Sequence, residues 1–272
     1  MSAVTPTAPP ASAAQLASLL LARRPPSPRA LQVIGLSAPP GSGKSTLAAA
    51  MVAQARQQGL RAATLSLDDV YLTGAQRRQL AAQVHPLLTT RGPPGSHDLA
   101  LALSVLDTLQ RGRPCPLPRF DKLADNPLPR SRWPLAEAGL QLLVLEGWML
   151  GVGAQAEAAL ATPINTLERE HDADGRWRRW CNQRLQRDYP ALWQRIDWLC
   201  VLQPPDWETV LGWRIEQEQR LAASHQRPGM SPAQVAAFLA HFERVGRHAM
   251  ATLPAIAALC LPLDAQRRVV GG

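Results

Sequence analysis

The stretch GLSAPPGSGKST, Gly35 to Thr46, sets Lys44 and Ser45 directly behind Gly41 and Gly43. Glycines at that spacing let backbone N–H groups turn toward an anion. An ammonium beside them reaches the outer phosphates of a nucleotide, and the adjoining hydroxyl offers a ligand to Mg²⁺. This is the chemistry of a phosphate-binding loop. It assigns Ala38, Pro39, Pro40, Gly41, Ser42, Gly43, Lys44, Ser45 and Thr46 to the nucleotide. The usual pattern, G-x-x-x-x-G-K-[ST], has glycine where this chain has Ala38. A small residue that needs no positive φ is expected to serve there. A chance Gly-Lys-Ser turn would read the same in isolation, so the flanking elements decide.

Three carboxylates could act with that loop. SLDDVYLT carries Asp68 and Asp69, and LQLLVLEGW carries Glu146. Of the aspartates, one could accept the proton of a substrate hydroxyl and the other could help to hold Mg²⁺. In phosphoryl transfer the base mainly positions the nucleophile, because the transition state is loose. The plainer reading of an Asp pair is a turn or a helix cap. Glu146, an acid closing an apolar run, is expected near Mg²⁺ with Ser45 and Asp69. Further along, TTRGPPGSHDL and LPRFDK collect Arg91, His97, Asp98, Arg119, Asp121 and Lys122. Cations of this kind suit an anionic acceptor, since arginine grips a carboxylate bidentately. Solvated loop charge, with Ser96 to Asp98 as a helix cap, is the plainer alternative. Arg214, Arg220 and Arg227 lie on or near two long helices that could close as a lid. Arg214 is assigned to the nucleotide.

These residues need elements to carry them. LQVIGLSA reads as a buried strand running into the loop, and STLAAAMVAQARQQG as the helix after it, stopped by Gly59. AATLSLDD reads as a second strand, so Asp68 and Asp69 fall at the carboxyl edge of a sheet, where open α/β sheets bind ligands. DLALALSVLDTLQRG reads as a helix ended by Gly112, followed by a proline-rich loop from Pro114 to Pro134. LQLLVLEG, IDWLCVLQ and IAALCLPLD complete the strands. Between the last two lie a helix from about Asp206 to Ser224 and another opened by Ser231 as N-cap, with Pro232 first and Gln234 closing a capping box. HQRPG between them is a polar hinge. Residues 13 to 24 read as one more helix, and residues 1 to 12 as disordered. The pattern predicts an α/β fold with a mostly parallel sheet, helices on both faces and a helical lid over residues 206–250. Residues 1–30 are expected to form an extension and 31–272 the main domain.

Composition narrows the class. The 272 residues carry 46% hydrophobic side chains and a net charge of +8. That charge admits a nucleic-acid partner, but it is spread along the chain, and 27 of the 29 basic residues are arginine. Only Lys44 and Lys122 are lysine, so both stand out where arginine is otherwise used. The four cysteines form no C-x-x-C pair, which argues against a structural metal or disulfide framework. No apolar run suggests a membrane span. A cytoplasmic setting is expected. An Asn-Lys-x-Asp guanine site and a transporter LSGGQ signature are both absent, which leaves a small-molecule kinase or an ATPase acting on nucleic acid.

GLSAPPGSGKST, SLDDVYLT, RGPPGSHDL, LPRFDK, VLEGWMLG, GWRIEQE and GMSPAQVAAF, in this order, resemble the plant-type D-glycerate 3-kinases and their bacterial relatives. That group is similar, more distantly, to phosphoribulokinase, uridine kinase and pantothenate kinase. The resemblance runs from about Leu31 to Arg268 and implies a P-loop NTPase fold. It also implies ATP and Mg²⁺ as cofactors, and transfer to the 3-hydroxyl of D-glycerate, a small carboxylate. It aligns Asp68 with the base of the wider group. Val70 stands where the group usually has Phe, and the proline-rich RGPPGSHD and the segment around Asn165 vary as well. A kinase of another small alcohol, nucleoside or pantothenate, is the alternative that the residues leave open.

Overall fold

The computed structural model describes residues 12–225 and 229–270. Its strands are β1 (Gln32–Ser37), β2 (Ala62–Ser66), β3 (Cys115–Pro116), β4 (Phe120–Asp121), β5 (Asn126–Pro127), β6 (Leu135–Ala136), β7 (Leu142–Gly147), β8 (Trp198–Gln203) and β9 (Leu259–Pro262). Its helices are α1 (Ala13–Arg23), α2 (Lys44–Gln57), α3 (Gly74–Gln83), α4 (Leu99–Gln110), α5 (Thr166–His171), α6 (Arg176–Arg187), α7 (Pro190–Trp193), α8 (Trp207–His225) and α9 (Pro232–Ile256).

Five strands form one sheet in the order β2-β7-β1-β8-β9, and every neighbouring pair is parallel. β1 and β7 are buried along their whole length, as strands covered on both faces must be. Side chains alternate between two cores. Val33, Leu65, Leu143, Leu145 and Val201 face α4 and α9. Ile34, Leu36, Leu142, Val144 and Cys200 face α1 and α2. This is the period-2 alternation of a strand, here apolar on both sides.

Register places the site. Leu36 of β1 pairs with Glu146 of β7, and Ser66 of β2 pairs with the same Glu146. The carboxyl ends of β1, β2 and β7 therefore finish level. The phosphate loop, Asp68–Asp69 and Glu146 emerge side by side.

Three segments differ from expectation. α1 is capped by a Ser12/Gln15 box and buries Ala17, Leu20 and Leu21 in the same core as Ile34 and Met51. Packing therefore joins residues 12–30 to the main domain. The expectation for residues 1–11 lies outside the described residues. The proline-rich stretch holds two short antiparallel ladders, β3 with β6 and β4 with β5. In the region read as a lid, α9 begins with the foreseen Ser231/Gln234 capping box and Pro232. It then buries Val235, Leu239, Phe242, Val245, Ala249 and Leu253 against the sheet. α9 is a layer of the core, and the helix that stands at the phosphate loop is α8. Buried Arg244 of α9 holds buried Glu168 at 2.6 Å and donates to the carbonyls of Ala159 and Thr162, tying residues 157–168 to the core. A buried charge is tolerated when it is paired and hydrogen-bonded in this way. Among the described residues no helix is long and apolar enough to cross a membrane.

Candidate active site

β1 ends by continuing its ladder for one residue: Ala38 donates its N–H to Gly147 of β7 at 3.1 Å. Ala38 lies just past β1 and has no positive φ, so no glycine is needed there. The turn comes afterwards. Gly41 has φ 78° and Gly43 φ 88°, both in the left-handed region, and Gly43 caps α2. A Cβ on Gly41 would stand 2.8 Å from the carbonyl carbon of Trp213, so α8 packs directly on the loop.

Glu146 is buried and meets the loop head-on. Ser45 donates its hydroxyl proton to Glu146 Oε1 at 2.8 Å, and Lys44 Nζ lies 3.9 Å from Oε2. Oε2 has no hydrogen-bond partner among the described residues. An orphaned carboxylate oxygen beside a hydroxyl and Asp69 is a hard-oxygen set, which suits Mg²⁺.

A cleft of about 270 Å³ opens in front, lined by Ser45, Ser66, Asp68, Asp69, Arg119, Lys122 and Glu146. Asp68 and Asp69 lie on a 3-10 turn, Leu67–Val70, started by Ser66. Their surroundings differ. Asp68 accepts from the Tyr71 hydroxyl and from Lys122 Nζ, both at 2.7 Å. Burial raises its pKa, but Lys122 and Lys44 together outweigh burial and hold the carboxyl well below the usual carboxylate range. Asp69 accepts from Arg119 Nη1 and from the Phe120 N–H, both at 3.1 Å. Burial dominates there and lifts it to about 6 against the pull of Arg119. Two adjacent carboxylates are driven apart, which suits two different tasks.

The comparisons bear on what this site is. The sequence model for the methylmalonyl-CoA mutase-associated GTPase MeaB matches residues 3–74, a minor part of the chain that includes the phosphate loop. The uncharacterized kinase mug58 of Schizosaccharomyces pombe is 32% identical over 219 residues, covering 77% of this chain and 78% of that protein. The chloroplastic D-glycerate 3-kinase of Arabidopsis thaliana is 31% identical over 220 residues, covering 77% of this chain but 46% of that protein. The solved D-glycerate 3-kinase of Cryptococcus neoformans var. grubii superposes with TM-score 0.75 at 26% identity, covering 95% of this chain and 97% of that one.

The chain belongs to the D-glycerate 3-kinase family of P-loop kinases.

In this kinase the cations anticipated for an anionic acceptor are all paired with its own acids. Arg119 holds Asp69, and Lys122 holds Asp68. Arg91 and fully buried Arg77 grip opposite oxygens of Asp125, and both guanidinium groups lie over the Phe120 ring. Asp121 accepts from the N–H groups of Leu123 and Ala124 and shapes its own turn. Asp98, read as acceptor-binding, is the N-cap of α4 and accepts from Leu101 N–H at 2.9 Å. Asp98→Ala is expected to cost about 1 kcal/mol of stability by denaturant titration and to leave the KM for the acceptor unchanged. His97 is buried against Tyr71, its ring centroid 4.8 Å away. Thr46 is exposed at the start of α2. Arg214 pairs with Glu218 at 2.8 Å, with Nη1 buried and unpartnered among the described residues, and its backbone N lies against Gly41. Arg220 sits exposed against Glu216, and Arg227 lies outside the described residues.

Sequence reasoning missed Arg267. It donates to the Gly41 carbonyl at 2.7 Å, pairs with Glu216 at 2.9 Å and lies over the Trp213 ring. It thereby ties the phosphate loop to α8. Nothing local distinguishes it from the other arginines.

Proposed function

We propose that this kinase transfers the γ-phosphoryl group of ATP to the 3-hydroxyl of D-glycerate, giving 3-phosphoglycerate and ADP. The observation that carries the reading is the convergence, in one cleft, of the loop's Lys44 and Ser45 with Asp68, Glu146 and a cationic hairpin. Loop amides and Lys44 bind the triphosphate. Ser45, Glu146 and Asp69 would hold Mg²⁺, whose charge, when bound, offsets that of the phosphates. Asp68 aligns the acceptor hydroxyl. As the hydroxyl oxygen bonds to the γ-phosphorus, the bond from phosphorus to the bridging β,γ-oxygen breaks, and the hydroxyl proton passes to Asp68. Arg119 and Lys122, each paired with an aspartate, line the cleft in which the acceptor would lie.

A small-molecule acceptor is favoured over nucleic acid because the arginines are dispersed and many are consumed internally. Arg178 pairs with Asp172, Arg244 with Glu168, Arg247 with Glu208 and Glu243, and Arg268 with Asp264.

The test is ADP release by the purified protein with ATP and Mg²⁺, offered D-glycerate, L-glycerate, glycerol, uridine or pantothenate. D-Glycerate is expected to give the highest kcat/KM, with phosphorus on C3 by NMR. Background turnover with D-glycerate, beside clear turnover with another alcohol, would replace the substrate.

A further inference from the structure

Tyr189, at the entrance of α7 and far in sequence from every motif above, is fully buried. Its phenol oxygen is a junction. It accepts the Gly95 N–H at 2.8 Å and lies 2.7 Å from His97 Nδ1. A backbone N–H can only donate, so Gly95 takes a lone pair of the phenol and leaves its single proton for His97. Nδ1 is then an acceptor, and the neutral ring carries its proton on Nε2. The opposite tautomer would leave the buried phenol proton with no acceptor, since the Tyr189 hydroxyl has no other hydrogen-bond partner among the described residues.

The Nε2–H so defined is buried and unpartnered among the described residues. Native structures rarely leave such a donor unused. A short antiparallel bridge sets His97 beside Tyr71, and the two rings pack together. The Tyr71 hydroxyl in turn donates to Asp68. Through Tyr71 the ring is linked to Asp68 of the cleft, whose charge acts on it.

We propose that His97 Nε2–H is a fixed neutral donor to an oxygen, hydroxyl or carboxylate, of the acceptor substrate, and that Tyr189 is the positioning residue that sets its tautomer. The assignment rests on the kinase reading above and adds a contact to it. Burial keeps the ring uncharged by lowering its pKa to about 3, against the opposing influence of Asp68. Neutrality matters here. An imidazolium would be a further cation competing for Asp68, which Lys122 already holds. A neutral N–H recognises oxygen without disturbing that carboxylate.

The experiment uses the full chain labelled with ¹⁵N-histidine, the His97 signals being assigned by their absence in His97→Gln. Nδ1 is expected unprotonated and Nε2 protonated. D-Glycerate, added with a non-hydrolysable ATP analogue, is expected to shift the Nε2–H resonance. Tyr189→Phe deletes one oxygen. It is expected to give a mixture of tautomers and to raise the KM for D-glycerate about tenfold, the loss of roughly one neutral hydrogen bond, with the KM for ATP unchanged. His97→Leu should raise the same KM at least as far, and His97→Gln, which keeps an amide N–H, should recover most of it. A protonated Nδ1 in the unmodified protein overturns the proposal. So does an Nε2–H signal unmoved at D-glycerate concentrations that saturate turnover, or equal KM values for His97→Leu and the unmodified enzyme. Should D-glycerate fail in the ADP assay, the substrate reading falls alone: the tautomer is read without turnover, and the alcohol that is turned over becomes the titrant.

Discussion

Lys44→Ala is expected to lower kcat/KM for ATP by about 10²–10³-fold, the scale of one lost charge-stabilising donor in a preorganised site. The amides of the loop and the N-terminus of α2 remain, so weak nucleotide binding should survive. The phosphoryl group being transferred would lose the cation that faces it. Stability should change little. Glu146 loses a cation 3.9 Å away but keeps the Ser45 hydroxyl at 2.8 Å. Lys44→Arg is the discriminating partner. It restores charge but replaces a slim ammonium with a wide planar fork, in a loop where Gly41 already touches the backbone of α8. Arginine is therefore expected to rescue little. ADP release and thermal melting of the three proteins read both quantities. An arginine variant with full activity would show that charge alone is required, and that the tight loop packing is irrelevant.

The phosphate loop was legible because everything that defines it is local. An apolar strand, two glycines at positive φ and an amphipathic helix follow one another within some twenty-five residues. Glu146 was legible for a related reason. A buried parallel strand ending in an acid must deliver that acid to the carboxyl edge, and register with β1 and β2 does the rest. What escaped notice depends on contacts that sequence spacing does not encode. Arg267 reaches Gly41 across 226 positions, and Tyr189 reaches His97 across 92. β4 and β5 are two residues each, too short for any period to show, yet their turn carries Lys122 to Asp68. α3 is polar and weakly periodic. A Thr73/Gln76 capping box starts it, and Gly74 is held by the Asn126 side chain. α6 did carry a signal, since Trp177, Cys181 and Leu185 recur at every fourth position and are all buried. The arginines between them masked it. The lid expectation rested on two long helices joined by a polar hinge, and neither length nor hinge says where a helix packs: α9 packs on the sheet.

Asp68→Asn is expected to reduce kcat by about 10²–10⁴-fold, the range of a positioned acid–base group, with the KM for ATP within about twofold. The amide keeps the shape and can still accept from Tyr71, so the turn should hold. It cannot take a proton, and it gives up the charge that Lys122 faces at 2.7 Å. The acid limb of the pH profile separates Asp68 from its neighbour. Asp68 is held well below the usual carboxylate range and stays ionised throughout the working range. Asp69 is raised to about 6, so it is protonated below that pH, and its ability to hold a cation falls as pH falls through about 6. The kcat/KM profile, which reports the free enzyme, should therefore drop below about pH 6. The residual activity of Asp68→Asn should show the same limb. If the limb vanished in that variant, the two aspartates would have to exchange roles. If turnover were unchanged, neither proton transfer nor alignment of the acceptor could be assigned to Asp68.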